Sequence, residues 1–127
     1  MKSVMIDSSA WLELLDGTPA GIKVKEVMNA NHCLTPAVVV AEVCSRTRRK
    51  GLDVNLVFQQ LAKTEIVPLD GKVSFMAGKL HAEQRIRKPD FGIVDAIIIA
   101  AAQSSGARLL TLDQDFRTFP GVILLKQ

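Results

Sequence analysis

Ser3-Val4-Met5-Ile6-Asp7 and Leu109-Leu110-Thr111-Leu112-Asp113 are two short, mostly apolar runs that each end on an aspartate. Runs of this length with little polar alternation read as strands buried on both faces, the pattern of a parallel sheet. In such sheets ligands bind outside the carboxyl ends of the strands. If the two strands are parallel neighbours, Asp7 and Asp113 meet at one edge of the sheet. Two further acids interrupt apolar segments. Glu42 follows Ala37-Val38-Val39-Val40-Ala41, and Asp95 divides Ile93-Val94 from Ala96-Ile97-Ile98-Ile99-Ala100-Ala101-Ala102. A carboxylate in apolar surroundings is costly unless paired, hydrogen-bonded or bound to a cation. Four together repel and raise one another's pKa. A divalent cation resolves that repulsion, and hard oxygen ligands point to Mg²⁺ or Mn²⁺.

Outward from these runs, short apolar stretches predict strands at 3–6, 32–35, 65–68, 108–112 and 121–125. Helices are expected between them. One is capped by Ser8 or Ser9 and ends near Gly17, and a second covers 20–29. A third has Thr35 as N-cap and Pro36 at its first position, and runs to Arg49 before Gly51. Others cover 53–62, a stretch from Asp70 to Arg87 before Pro89, and a stretch from Ile93 to just before Gly106. Alternating strands and helices predict one α/β domain over 1–127 with a mainly parallel sheet of about five short strands.

The chain has 127 residues, 48% of them hydrophobic and 23% charged, values of a globular protein rather than a disordered one. No signal peptide is expected, and no apolar run reaches the roughly 18–20 residues of a membrane span. Cys33 and Cys44 form no metal-binding spacing, so reduced thiols in a cytoplasm are expected. His32 and His81 read as surface or packing residues, and Trp11 and Phe116 as core. The net charge of +3 permits a nucleic-acid partner without requiring one. Its distribution says more: Arg46, Arg48, Arg49 and Lys50 follow Glu42, and Arg85, Arg87 and Lys88 precede Asp95.

Each acid also has an ordinary reading. Asp7 fits a helix N-cap, and Asp95 a first-turn acid favoured by the helix dipole. Glu42 stands four residues before Arg46, a favourable ion-pair spacing. Asp113 fits the cap of the turn after its strand, where Asp115 competes with it.

The same residues resemble the PIN domain, the ribonuclease fold of VapC-type toxins. Ile6-Asp7-Ser8-Ser9-Ala10 resembles that family's first motif, and Thr35-Pro36 with Ala41-Glu42-Val43 its second. Val94-Asp95-Ala96-Ile97-Ile98-Ile99-Ala100-Ala101-Ala102 resembles the third, and Leu110-Thr111-Leu112-Asp113-Gln114-Asp115-Phe116 the last. The resemblance implies a metal-dependent ribonuclease with Asp7, Glu42, Asp95 and Asp113 as its acidic site. Asp7, Asp95 and Asp113 would hold the metal, with Ser8, Thr111 and Asp115 close by. It also implies an antitoxin partner and a homodimer. Arg46, Arg48, Arg49 and Lys50 are candidates for contacting RNA phosphates. Two other readings are a non-catalytic RNA- or protein-binding module on the same fold and a phospho-acceptor receiver domain. The latter needs an aspartate ending a central strand and a late lysine, for which Asp70 and Lys126 are poor candidates.

Overall fold

Val4, Met5, Ile6, Leu109 and Leu110 are all buried, because central strands of a parallel sheet are covered on both faces. The computed structural model describes residues 2–127; position 1 of the expected domain lies outside them. Five strands, β1 (Ser3–Ile6), β2 (His32–Pro36), β3 (Glu65–Val67), β4 (Arg108–Thr111) and β5 (Val122–Leu124), form one sheet in the order β3-β2-β1-β4-β5. All four pairings are parallel. Six helices connect them: α1 (Ser8–Asp16), α2 (Pro19–Asn29), α3 (Ala37–Arg49), α4 (Val54–Leu61), α5 (Gly71–Gln84) and α6 (Ile93–Ser104). A 3-10 turn, Gln114–Phe116, joins β4 to β5. None of these helices is long and apolar enough to cross a membrane.

The strand order positions the site. From β1 the chain steps outward through β2 to β3, and α5 and α6 then carry it back to β4 on the other side of β1. The carboxyl ends of β1 and β4 therefore form the switch point of the sheet, where α/β folds bind ligands. Ile6 pairs with Leu110 in register, and the next amide, Asp7 N–H, donates to the Leu110 carbonyl at 3.0 Å.

Two expected helix starts are corrected. Thr35 does not cap α3: β2 continues through Pro36, which is the N-cap residue, and the helix starts at Ala37. The Thr35 hydroxyl is used in the core instead. It accepts from Trp11 Nε1 at 3.1 Å and lies 2.6 Å from Thr64 Oγ1. Thr64 gives its own proton to the Leu61 carbonyl at 2.8 Å, so Thr35 is the donor of that pair. Likewise Asp7, not Ser8 or Ser9, holds the N-cap position of α1, and its side chain makes no capping bond. Trp11 and Phe116 are core residues, as expected.

The α1–α2 corner depends on one glycine that periodicity does not single out. Gly17, at φ +68°, ends α1 in the left-handed conformation, and Thr18 caps α2 through the Gly21 amide at 3.0 Å. Gly21 then packs against the last turns of α1, where a Cβ would collide with the Glu13 carbonyl and sit 3.0 Å from Leu14 Cα. Backbone on both sides cannot yield as a flexible side chain would. Gly21→Ala should lower stability by about 1–3 kcal/mol despite the better helix propensity of alanine. Denaturant melts check this; a stabilised variant would show that the two helices separate freely.

Candidate active site

Asp7 directly follows β1 and is 3% exposed. Its carboxylate accepts from Thr111 Oγ1 at 2.6 Å, Ser9 Oγ at 3.0 Å and Ser8 Oγ at 3.5 Å. The same hydroxyls hold the end of β4. Thr111 Oγ1 accepts the Asp113 amide and Ser9 Oγ the Leu112 amide, both at 3.0 Å. Each hydroxyl has one proton, and both protons go to Asp7. The 3.1 Å approach of Ser9 to Thr111 is therefore proximity, not a further bond. Ser9 was not among the expected site residues; the doubled Ser-Ser after Asp7 is the signal that marks it. Burial raises the Asp7 pKa above the ordinary carboxylate range, against the lowering effect of Thr111 and Ser9, with Asp113 adding to the rise.

Asp113 follows β4 and takes the N-cap position of the 3-10 turn. Its Oδ1 accepts the Asp115 amide at 2.9 Å, so the ordinary reading as a turn cap holds for that oxygen. Asp95 stands in the first turn of α6, where the helix dipole favours a carboxylate. Burial and then the charges of Asp113, Asp7 and Asp115 nevertheless push its pKa to about 6. Glu42 projects from the middle of α3. Its Oε1 is buried without a hydrogen-bond partner, and burial, Asp7 and Asp95 raise its pKa. The Ser8 hydroxyl and Arg46 lower that pKa without cancelling the rise, and an unpaired acceptor facing two other acids favours a proton or a cation.

These groups share one cavity of about 420 Å³, lined by Asp7, Ser8, Ser9, Glu42, Asp95 and Asp113 together with Arg46 and Arg49. A larger cavity of about 740 Å³, bordered by Trp11, Met28 and Cys33, gathers no such set of acids. The tightest acidic group is Asp95, Asp113 and Asp115, each of which offers an oxygen within 4.8 Å of the others. Asp115 thus stands closer to this group than its distance along the chain from the strand end implied. Asp7 is not in this group and is engaged with hydroxyls.

The basic run after Glu42 splits. Glu42, Ser45, Arg46 and Arg49 follow the spacing of one helix face, and all four line the cavity. Arg48 is exposed away from it, and Lys50 pairs with Asp16 at 3.5 Å. The Glu42–Arg46 ion pair that the spacing allows does not form among the described residues, although Arg46 still lowers the Glu42 pKa. Neither histidine lines the cavity: His81 Nε2 contacts the Phe91 carbonyl at 2.9 Å, and His32 contacts Glu65 at 3.3 Å. Asp70 caps α5 through the Val73 amide, next to edge strand β3, which argues against a phospho-acceptor role.

The raised pKa of Asp95 has a consequence for the cation-free protein. Between the unfolded value of 3.8 and the folded value of about 6, the native state holds a proton that the unfolded state has lost. Stability from this residue therefore falls as pH rises through that window, and the penalty is complete above it. Asp7 and Glu42 shift in the same direction. In chelator, Asp95→Asn should raise the melting temperature at about pH 7.5 and narrow the difference between about pH 5 and pH 7.5. A variant that melts lower at neutral pH would show that Asp95 is stabilised by partners rather than strained by them.

The fold recurs in known proteins. Solved structures with the same fold include a toxin–antitoxin complex from Klebsiella pneumoniae, with a TM-score of 0.83, 20% identity, and coverage of 98% of this chain and 99% of that one. VapBC2 from Rickettsia felis, bound to a DNA fragment from its promoter, gives 0.74 at 20% identity, with 98% of each chain covered. The sarcin-ricin loop cleaving toxin VapC20 from Mycobacterium tuberculosis gives 0.74 at 16%, covering 98% and 99%. No curated protein matches significantly in sequence. The family model for the PIN domain matches residues 4–122, nearly the whole chain including all four acids, and the chain belongs to the PIN domain family.

Proposed function

We propose that the protein is a divalent-cation-dependent endoribonuclease and the toxin of a toxin–antitoxin pair. The observation that carries this reading is the meeting of Asp7, Glu42, Asp95 and Asp113 in one cavity at the switch point, with Glu42 Oε1 orphaned. The donor set fits Mg²⁺ or Mn²⁺: all oxygen, strongly anionic, and without histidine or cysteine. Asp7, Asp95 and Asp113 would hold the ion, with Asp115 beside them. When bound, the ion supplies neutralisation of phosphate charge and a more acidic water.

The protein's own groups do the rest. Glu42, which lines the same cavity, orients the attacking water and accepts its proton. Ser9 and Thr111 fix Asp7, and through the amides of Leu112 and Asp113 they fix the path of the chain beyond β4. Arg46 and Arg49 bring positive charge to an otherwise anionic cavity, which a phosphate backbone needs in order to approach. The fold shared with a sarcin-ricin loop cleaving toxin supports RNA as the substrate, and the fold shared with toxin–antitoxin complexes supports an antitoxin as the partner. A cytoplasmic homodimer completes the reading.

Purified protein should cleave single-stranded RNA with Mg²⁺ or Mn²⁺ and lose cleavage in excess chelator. Asp95→Asn, Asp113→Asn and Glu42→Gln should each lower the rate by about 10²–10⁴ while remaining folded. Asp113→Asn should cost more than Asp115→Asn. Equal cleavage in chelator would overturn the reading, and a non-catalytic binding module on this fold would bind RNA without cutting it.

A further inference from the structure

Lys88 lies in the turn between α5 and α6 and donates from Nζ to Asp115 Oδ1 at 2.9 Å. The turn holds it there. The Lys88 amide donates to the Gln84 carbonyl at 2.9 Å, and the Lys88 carbonyl accepts the Phe91 amide at 3.0 Å. Phe91 is buried and packs against His81 and Phe119, with ring centroids 6.1 and 5.8 Å away. A packed aromatic anchor thus delivers the ammonium to the acidic cluster. A lysine ammonium is a cation at physiological pH.

Asp115 is 54% exposed, and a pair this accessible adds little to stability. Its placement is what matters. Arg46 and Arg49 enter the acidic cavity from α3. Arg87 and Lys88 border a second cavity, of about 200 Å³, that reaches the cluster at Asp115. Cations on two unrelated elements therefore flank the carboxylates, which is what a polyanion crossing an acidic site requires.

We propose that Lys88 is a phosphate-contacting residue of the site, held on Asp115 in the free protein and passed to a backbone phosphate when single-stranded RNA binds. This rests on the ribonuclease reading. A divalent cation held beside Asp115 would repel the Lys88 ammonium, and a phosphate next to the cluster would accept it. Cation and RNA therefore each favour the other through Lys88, a reciprocal coupling.

The test uses the 127-residue protein carrying Glu42→Gln, which slows cleavage by about 10²–10⁴ while leaving the aspartates in place, with binding read before cleavage sets in. Two quantities are measured: the affinity for a single-stranded oligoribonucleotide against salt, with and without Mn²⁺, and the affinity for Mn²⁺ without RNA. Adding Lys88→Met should weaken RNA binding and flatten the log–log salt slope by about 0.7, with the larger loss in Mn²⁺. It should also tighten Mn²⁺ binding in the absence of RNA. Lys88→Arg should restore most of the RNA affinity and slope. Unchanged RNA affinity and slope in Lys88→Met would overturn the proposal and leave a surface ion pair. Weaker Mn²⁺ binding would also overturn it, by showing that Lys88 positions Asp115 for the cation instead. If the Glu42→Gln parent with Lys88 intact binds neither Mn²⁺ nor RNA, the ribonuclease reading itself falls.

Discussion

The Thr111 hydroxyl, donating to Asp7 at 2.6 Å across the ends of β1 and β4, is the contact on which the site depends. It compensates a carboxylate taken almost wholly out of water. It also accepts the Asp113 amide, so one oxygen atom joins the two strand ends and sets where the chain leaves the sheet. Ser9 repeats the arrangement one step away, giving its proton to Asp7 and accepting from Leu112. Two hydroxyls thus convert an expensive buried charge into a fixed reference point for Asp113 and the turn beyond it.

Burial still leaves the Asp7 pKa raised, and Asp113 has its own donor in the Asp115 amide, but Asp95 and Glu42 have less to offset them. Asp95 and Glu42 hold raised pKa values because burial and neighbouring charge work against ionisation, and Glu42 keeps an oxygen with no partner. A fold selected for stability alone would not retain such a set. Stored repulsion of this kind marks a site that accepts positive charge. The surrounding cations follow the same logic at longer range. Arg46 and Arg49 stand on one side and Lys88 on another, close enough to draw in a polyanion and still leave the carboxylates uncovered.

Much of this was legible in the residues. The strands are apolar runs because a central parallel sheet imposes that pattern, and the observed strands match the expected spans to within two residues. Asp7 and Asp113 were placeable as neighbours because both end such runs. The errors have local causes. Thr35-Pro36 has the composition of a helix start, but the hydroxyl is taken by Trp11 and Thr64, partners 24 and 29 residues away that no local pattern reveals. The basic run after Glu42 reads as one cluster, whereas helical phase sets Arg46 and Arg49 at the cavity and Arg48 and Lys50 away from it, all four exposed. That distinction was available from the periodicity of α3. The link from Lys88 to Asp115 was not, since it depends on how Phe91 anchors the turn before α6.

The central claim is that the carboxylates are brought together against their own repulsion so that a divalent cation can bind them. Calorimetric titration of Mn²⁺ into cation-free protein, in two buffers of different ionisation heat, tests it by counting the protons that leave as the ion binds. At about pH 6 Asp95 is close to half protonated, so binding should expel a measurable fraction of a proton. The release should fade toward about pH 8 and shrink in Asp95→Asn. Binding without proton release at about pH 6, or no binding, would contradict the account.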